Sequence, residues 1–279
     1  MKYLNSTIQI GLLGFIGLVI LVVVTRHSDE VFARIDHEFL VPNYEGPEIQ
    51  IAVIADFHFW SPTQLNRLAP LSKALVDADP DYILLLGDYV ERSANWDHAA
   101  REIVAALNTL NQIAPTFAVL GNHENDRGRI EWIKAFKASD TRLLENEIWR
   151  GSDICLRGRT DIQSGRYQAN LPIPLSCLNR TVSFTHSPSE SLWSVRQLDT
   201  PTFFADTHCG QINLPLIGSL LDYKDLPKPL HCGAFELKGM PGLVTGGLGS
   251  STLPIRRGQG TQPRWEFVTL SAAQSPKTN

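Results

Sequence analysis

The sequence predicts an α/β protein whose centre is a mostly parallel β-sheet, joined by a second, mixed or antiparallel sheet. Three apolar, partly β-branched runs at residues 49–55, 81–86 and 117–120 are each followed by a segment with helical spacing. The last third is Gly-rich and strand-like at residues 233–238, 242–249 and 264–270, which is read as the second sheet. Each of the three early runs also ends in a polar turn, and the carboxyl ends of strands in open α/β sheets are where ligands sit.

The elements follow in order. Residues 49–55 form the first strand and end in Asp56-Phe57-His58. Asp and His two apart on an extended segment share a side and can bind one ion; an Asp capping the next turn beside an incidental His is the alternative. Residues 65–78 read as a helix stopped by Asp79-Pro80, and residues 81–86 as a strand ending in Gly87-Asp88, where Gly lets the backbone come close to a ligand. A helix over about 97–111 leads to the strand that ends in Gly121-Asn122-His123-Glu124, and His98 at its start is read as a surface histidine. Residues 129–137 make one more helix. Residues 149–174, rich in Gly, Arg and Ser, are read as a short hairpin followed by a substrate-facing loop, because long irregular segments in compact domains are often functional. Strands at 181–185 and 201–205 end in His186-Ser187-Pro188 and in Asp206-Thr207-His208-Cys209.

Composition bounds the function. The chain has 279 residues, 43% apolar and 19% charged, which is globular rather than disordered. A net charge of -4 and the lack of a basic stripe with interleaved aromatics argue against nucleic-acid binding. Cys155, Cys177, Cys209 and Cys232 contain no C-x-x-C pair, which argues against a zinc ribbon or a thioredoxin-type motif. The even count permits two disulfides, with Cys155 and Cys177 placed to staple the 149–174 segment; four reduced thiols are the alternative.

Residues 8–25 are uncharged and apolar, just long enough for a membrane-spanning helix. A cleaved signal is the rival, but residues 22–26 offer no small-x-small site. The expectation is an uncleaved anchor over 1–25, a linker over 26–48 with His27 and His37 solvated, a catalytic domain over 49–272 and a polar tail over 273–279. Lys2 before the run leans the N-terminus to the cytoplasm and the rest outside.

Five strand ends thus carry ligand-type side chains: Asp56 and His58; Asp88; Asn122; His186; Asp206 and His208. Mixed imidazole and carboxylate donors suit Zn, Fe or Mn, whereas an all-thiolate set would mean structural zinc. Several carboxylates shared among a few histidines are what two adjacent cations need.

This ordered set resembles the calcineurin-like metallophosphoesterases, whose motifs run Asp-x-His, Gly-Asp, Gly-Asn-His-Glu, His and Gly-His-x-His. The resemblance covers about residues 49–270. Gly210-Gln211 with Leu214-Pro215, and Gly247-Leu248-Gly249 with Leu253-Pro254-Ile255-Arg256, look like the membrane-anchored bacterial branch, which includes phosphodiesterases and relatives that cleave the pyrophosphate of UDP-diacylglucosamine. The resemblance implies a four-layer α/β/β/α sandwich and a single-pass protein of the bacterial inner membrane. It implies two divalent cations, Mn first and Fe, Zn or Mg as alternatives. Asp56, His58, Asp88 and His208 would hold the first; Asn122, His186 and residue 206 would complete the second, with Asp88 bridging. A hydroxide held between the cations would attack phosphorus in line, and His123 would stabilise the leaving oxygen. Glu124 could orient His123 or a ligand. The implied substrate is a phosphodiester or pyrophosphate, with a lipid-linked one among the candidates. The chain departs from the pattern at Asp206, where the family has His, and at Cys209, where it usually has Gly. Asp206 adds negative charge that favours a harder ion. It also admits a rival reading, a metal-binding sensor or scaffold with weakened catalysis.

Overall fold

Side-chain alternation along the central strands sets the layers of the molecule. The computed structural model describes residues 14, 32–168, 170–188, 198–214, 216, 218–219, 226–253 and 255–273. In chain order the first half contains β1 (Ala33–Val41), β2 (Ile49–Ile54), α1 (Leu68–Ala78), β3 (Tyr82–Leu85), α2 (Ala99–Leu107), β4 (Thr116–Ala118), α3 (Asn122–Asp126), α4 (Arg129–Lys137) and β5 (Arg142–Leu143). The second half contains β6 (Glu147–Arg150), β7 (Cys155–Gly158), β8 (Thr181–Phe184), β9 (Thr202–Phe204), β10 (Asn213–Leu214), β11 (Gly218–Ser219), β12 (Gly233–Leu237), β13 (Met240–Val244) and β14 (Arg264–Ala272).

Two six-stranded sheets result, ordered β1-β14-β2-β3-β4-β5 and β12-β13-β9-β8-β7-β6, beside a small β10-β11 ribbon. In the first sheet β2 to β5 run parallel, as the strand-helix alternation requires. In the second, β7, β8, β9 and β13 are parallel, flanked by the antiparallel strands β6 and β12. Ala52, Ile54, Ile83 and Leu85 face the helices, packing with Leu71 and Leu75 of α1, Ile103 and Leu107 of α2, and Trp132 and Phe136 of α4. Their neighbours Ile51, Val53 and Leu84 face the other way, onto Leu156, Val182, Phe184, Phe203 and Leu243 of the second sheet. Each such aliphatic side chain taken out of water contributes about 1.5–3 kcal/mol.

Local signals explain the boundaries. Pro62 opens a 3₁₀ turn, Pro62–Arg67, that passes into α1, and Asp79 ends α1 in a left-handed cap (φ 50°) before Pro80. The α2 helix is shorter than expected because the chain tightens into a 3₁₀ turn, Asn108–Gln112. His98 is exposed at its start, as read from the sequence.

Several expectations are corrected. Residues 264–270 do not join the second sheet: β14 lies in the first, between β1 and β2. Both its faces carry apolar side chains, Trp265 and Phe267 toward the helices and Val268 and Leu270 toward the second sheet, so it fits only between two covered layers. The expected linker contains β1, which pairs in parallel with β14 along its whole length. His37 is accordingly not solvated; its Nε2 lies 2.8 Å from Glu266 Oε2. Among the described residues no α-helix follows Lys137, so three of the four expected layers are described. The placement as a single-pass inner-membrane protein is also corrected. Among the described residues no helix is long and apolar enough to cross a membrane; the longest α-helix, α1, has 11 residues against about 20 for a span. The expected anchor, residues 1–25, lies outside the described residues apart from Gly14, as do His27 and the tail beyond residue 273. All four cysteines are paired, Cys155 with Cys177 and Cys209 with Cys232.

On the outer face of the second sheet, buried Arg157 of β7 makes a two-pronged pair with Asp199 and donates Nε–H to Ser183 Oγ at 2.7 Å. Burial works against the Asp199 carboxylate, but Arg157 and Arg159 hold its pKa below the ordinary value. A depressed folded pKa stabilises above the unfolded pKa of about 3.9 and loses that contribution as pH falls through the folded value. Asp199 is half exposed, so solvent screening keeps the effect modest, about 1 kcal/mol. Asp199→Asn is expected to lower the melting temperature at neutral pH, and the gap from wild type should close in acid scans.

Candidate metal centre

The carboxyl ends of β2, β3 and β4 in one sheet and β8 and β9 in the other point to one locus. Asp56 and His58 follow β2, Asp88 follows β3, Asn122 and His123 open α3 after β4, His186 follows β8, and Asp206 and His208 follow β9. Asp56, His58, Asp88, Asp206 and His208 all sit in the left-handed region, with φ of 52°, 43°, 54°, 71° and 51°. Left-handed backbone costs a non-glycine residue roughly 1–2 kcal/mol, and such strain concentrates where a site needs a side chain aimed against local preference. Asp56 and His58 therefore meet through left-handed backbone, and not through the extended alternation expected from their spacing. Two glycines make room: a Cβ on Gly247 (φ +70°) would lie 2.5 Å from Asp56 Oδ2, and one on Gly121 would overlap Asp88 Oδ1.

Asp88 is the centre of the cluster. Its Oδ1 accepts the His123 backbone N–H at 3.0 Å. Its Oδ2 is ringed by imidazole Nε2 atoms: His186 at 3.4 Å, His58 at 3.5 Å and His123 at 3.7 Å. His208 Nε2 lies 3.1 Å from His58 Nε2, and Asp206 Oδ1 lies 3.6 Å from His186 Nε2. Ligand atoms of Asp56, His58 and His208, and of Asp56, Asp88 and His186, each fall within 4.8 Å of one another.

Electrostatics follow from burial and this crowding. Burial pushes the Asp56 carboxyl up to about 6, against the pull of His186 and His58. Asp88 is buried as well, yet His186, His58 and His123 hold its pKa well below the carboxylate range. Burial disfavours the His186 imidazolium, but Asp88 and Asp206 outweigh it and raise its pKa. His208 goes the other way, lowered by burial and by the nearby His58 and Arg256.

The donor set fits divalent cations. Both oxygens of Asp56, Oδ1 of Asn122 and Nε2 of His186 are buried without a hydrogen-bond partner among the described residues, a cost of about 1–3 kcal/mol per group that an ion would remove. His186 Nδ1 sits 2.7 Å from the Leu86 carbonyl, which fixes a proton there, so that in the neutral ring the Nε2 lone pair faces the centre. His208 is hydrogen-bonded differently. Arg256 Nη2 lies 2.8 Å from His208 Nδ1, and a guanidinium only donates, so Nδ1 accepts and the ring proton sits on Nε2. Ligation through Nε2 requires that bond to be given up.

Four contributors escaped sequence reading. Glu91 Oε2 lies 3.1 Å from His58 Nδ1. Asp161, buried and raised in pKa by burial, accepts the Ser187 and Gln163 backbone N–H groups beside His186. Gln163 bridges Asn122 and Asp206. Arg256 was visible only as part of a motif. Glu124, expected to orient His123 or a ligand, acts on Asp88 through the backbone: its carboxylate accepts N–H from Asp88 and Tyr89 at 2.8 Å and from Gly121 at 2.9 Å. Cys209 forms a disulfide with Cys232 that ties down the turn after His208. The 149–174 segment does contain the expected hairpin, β6-β7, and its loop reaches the centre through Gln163.

Comparisons with known proteins agree with this arrangement. The chain is 24% identical over 180 residues to the uncharacterized metallophosphoesterase Cj0846 of Campylobacter jejuni, covering 62% of this chain and 47% of that protein. It therefore spans about half the length of that relative. Phosphodiesterase YaeI of Escherichia coli is 27% identical over 196 residues, covering 67% of this chain and 70% of that one. Among solved structures, the Haemophilus influenzae NAD nucleotidase NadN matches 72% of this chain and 45% of its own at a TM-score of 0.46 and 14% identity. The protein TT1561 of Thermus thermophilus matches 72% and 91% at 0.40 and 16%. At such TM-scores these add nothing to the assignment. The family model for calcineurin-like phosphoesterases matches residues 49–227, more than half of the chain and all of the strand ends that build the centre, and this protein belongs to that family.

Proposed function

We propose that this protein hydrolyses a phosphodiester or pyrophosphate, using two divalent cations held by Asp56, His58, Asp88, Asn122, His186, Asp206 and His208. One observation carries the reading. Asp88 Oδ2 lies within 3.7 Å of three imidazole Nε2 atoms, while both oxygens of Asp56 and Oδ1 of Asn122 are buried with no hydrogen-bond partner among the described residues. That is a donor set arranged to share one carboxylate between cations, with oxygen-rich chemistry that favours Mn over softer ions at the second position. When bound, such cations supply charge neutralisation at the phosphoryl oxygens and an acidified water.

The chain's own residues do the rest. Glu124 holds the turn that aims Asp88. His123 donates Nδ1–H to the Val90 carbonyl at 2.9 Å, which turns Nε2 toward Asp88 and the centre. In its protonated form that Nε2–H can donate to a leaving oxygen. The name of the Escherichia coli relative, a phosphodiesterase, supports a diester as substrate. A lipid-linked diester or pyrophosphate is among the substrates that this reading admits. The sensor or scaffold alternative has less support, since Asp206 keeps a carboxylate oxygen 3.6 Å from His186 Nε2.

Chelated protein resupplied with Mn is expected to hydrolyse bis(p-nitrophenyl) phosphate, and no metal-dependent turnover of any diester or pyrophosphate would overturn the reading. His123→Ala should lower kcat by roughly 10²–10⁴ for diesters with poor leaving groups and much less for the nitrophenyl diester. Burial lowers the His123 pKa below the usual imidazole value. Its acid form is thus present at low pH and lost as pH rises through that depressed value. The rate on a poor leaving group should fall with rising pH relative to the rate on the nitrophenyl diester, and His123→Ala should erase the difference. Gly247→Ala puts a Cβ against Asp56 at a left-handed position; titration calorimetry should show metal affinity weakened roughly 10–100-fold.

A further inference from the structure

We propose that Gln163 is the positioning residue of the second cation's ligands, and that it is what lets an aspartate serve at position 206; this rests on the two-cation reading above. Gln163 lies in the loop after β7, outside every motif of the site. Its Nε2 donates to Asp206 Oδ2 at 3.3 Å and to Ser187 Oγ at 3.2 Å. Its Oε1 accepts Asn122 Nδ2–H at 3.1 Å. One side chain therefore links the ends of β4, β8 and β9, the three places that supply the second cation's own ligands.

The chemistry of the groups sets the polarity of this relay. A carboxylate only accepts, so Asp206 forces the amino end of the Gln163 amide toward itself. The carbonyl end must then face Asn122, and it can only be met by the Asn122 amino group. Asn122 Oδ1 is thereby turned inward, where it is buried without a hydrogen-bond partner among the described residues. A carboxylate at 206 thus dictates, through one neutral amide, that Asn122 offers oxygen and not nitrogen to the centre. The same bond holds Asp206 by Oδ2 and leaves Oδ1 on the His186 side. Because Gln163 is neutral, it steers both ligands without adding a charge that would repel a cation, as Arg or Lys would. With an imidazole at 206 the ring edge has no obligatory acceptor in this place, and the relay loses its driver. Gln163 is the partner that an aspartate at this position needs.

The test uses the full-length chain, stripped by chelation and titrated with Mn by calorimetry, with bound Mn counted by electron paramagnetic resonance. Wild type, Gln163→Leu, Asp206→His and the double variant are compared, and metal-free melting is recorded for each. Wild type should take two Mn. Gln163→Leu should weaken the second roughly tenfold, leaving the first and the metal-free melting temperature unchanged. In the Asp206→His background the same substitution should have no effect on the second Mn. If Gln163→Leu leaves the second affinity unchanged, weakens both ions alike, or costs as much in the Asp206→His background as in wild type, the proposal is wrong and the two-cation reading survives. If wild type takes fewer than two Mn, the reading and the proposal fall together.

Discussion

The carboxylate of Glu124 gathers the backbone N–H groups of Asp88, Tyr89 and Gly121 in a place with no solvent. Those groups belong to the ends of β3 and β4, and the second parallel connection would leave them unsatisfied without it. Burial and the neighbouring Asp88 push the Glu124 pKa up to about 7, which the donated backbone N–H groups oppose. The ordered turn is what allows Asp88 to sit at φ 54° and present one oxygen to the histidines while the other is held by the His123 N–H. The centre is organised from the backbone outward.

The second constraint is the face-to-face packing of the two sheets. The inter-sheet core runs from Ile51 and Leu84 to Val182 and Phe203, and it fixes how the ends of β8 and β9 meet those of β2, β3 and β4. Asp56, His58 and Asp88 come from one sheet; His186, Asp206 and His208 come from the other. Neither sheet alone carries the whole cluster. The cluster is therefore as precise as the packing between layers, and close-packed interiors transmit small displacements without absorbing them. The Cys209–Cys232 disulfide and the buried Arg256 brace the His208 turn from behind, the latter through carbonyls of Gly246, Gly249 and Thr261.

Asp206 looks like a defect when the motif is read alone, because a short carboxylate replaces an imidazole. In three dimensions it is one end of a hydrogen-bonded relay that runs through Gln163 to Asn122. That hydrogen-bond partner lies 43 positions away in sequence, on a loop whose described regular structure is two 3₁₀ turns, Ile162–Ser164 and Leu175–Cys177. Such a partnership is invisible to any reading that takes motifs one at a time.

The sequence by itself determined the strand-helix alternation and the polar side chains that close each strand. Apolar runs of strand length ending in Asp, Asn or His are local patterns, and strand ends are where a parallel sheet exposes side chains. It also marked residues 129–137 as a helix and 149–174 as a hairpin with a reaching loop, again from local composition. Pairing decisions lay beyond it. That residues 33–41 are an edge strand beside β14, and that β14 serves the first sheet, depends on partners more than two hundred positions apart, which a nine-residue segment does not specify. The left-handed backbone at Asp56, His58, Asp88, Asp206 and His208, the Glu124 bridge to backbone and the Gln163 hydrogen bonds were likewise decided only by tertiary structure. Each arises from groups that burial forces to find partners across the gap between strands, and no local pattern encodes which partner is near.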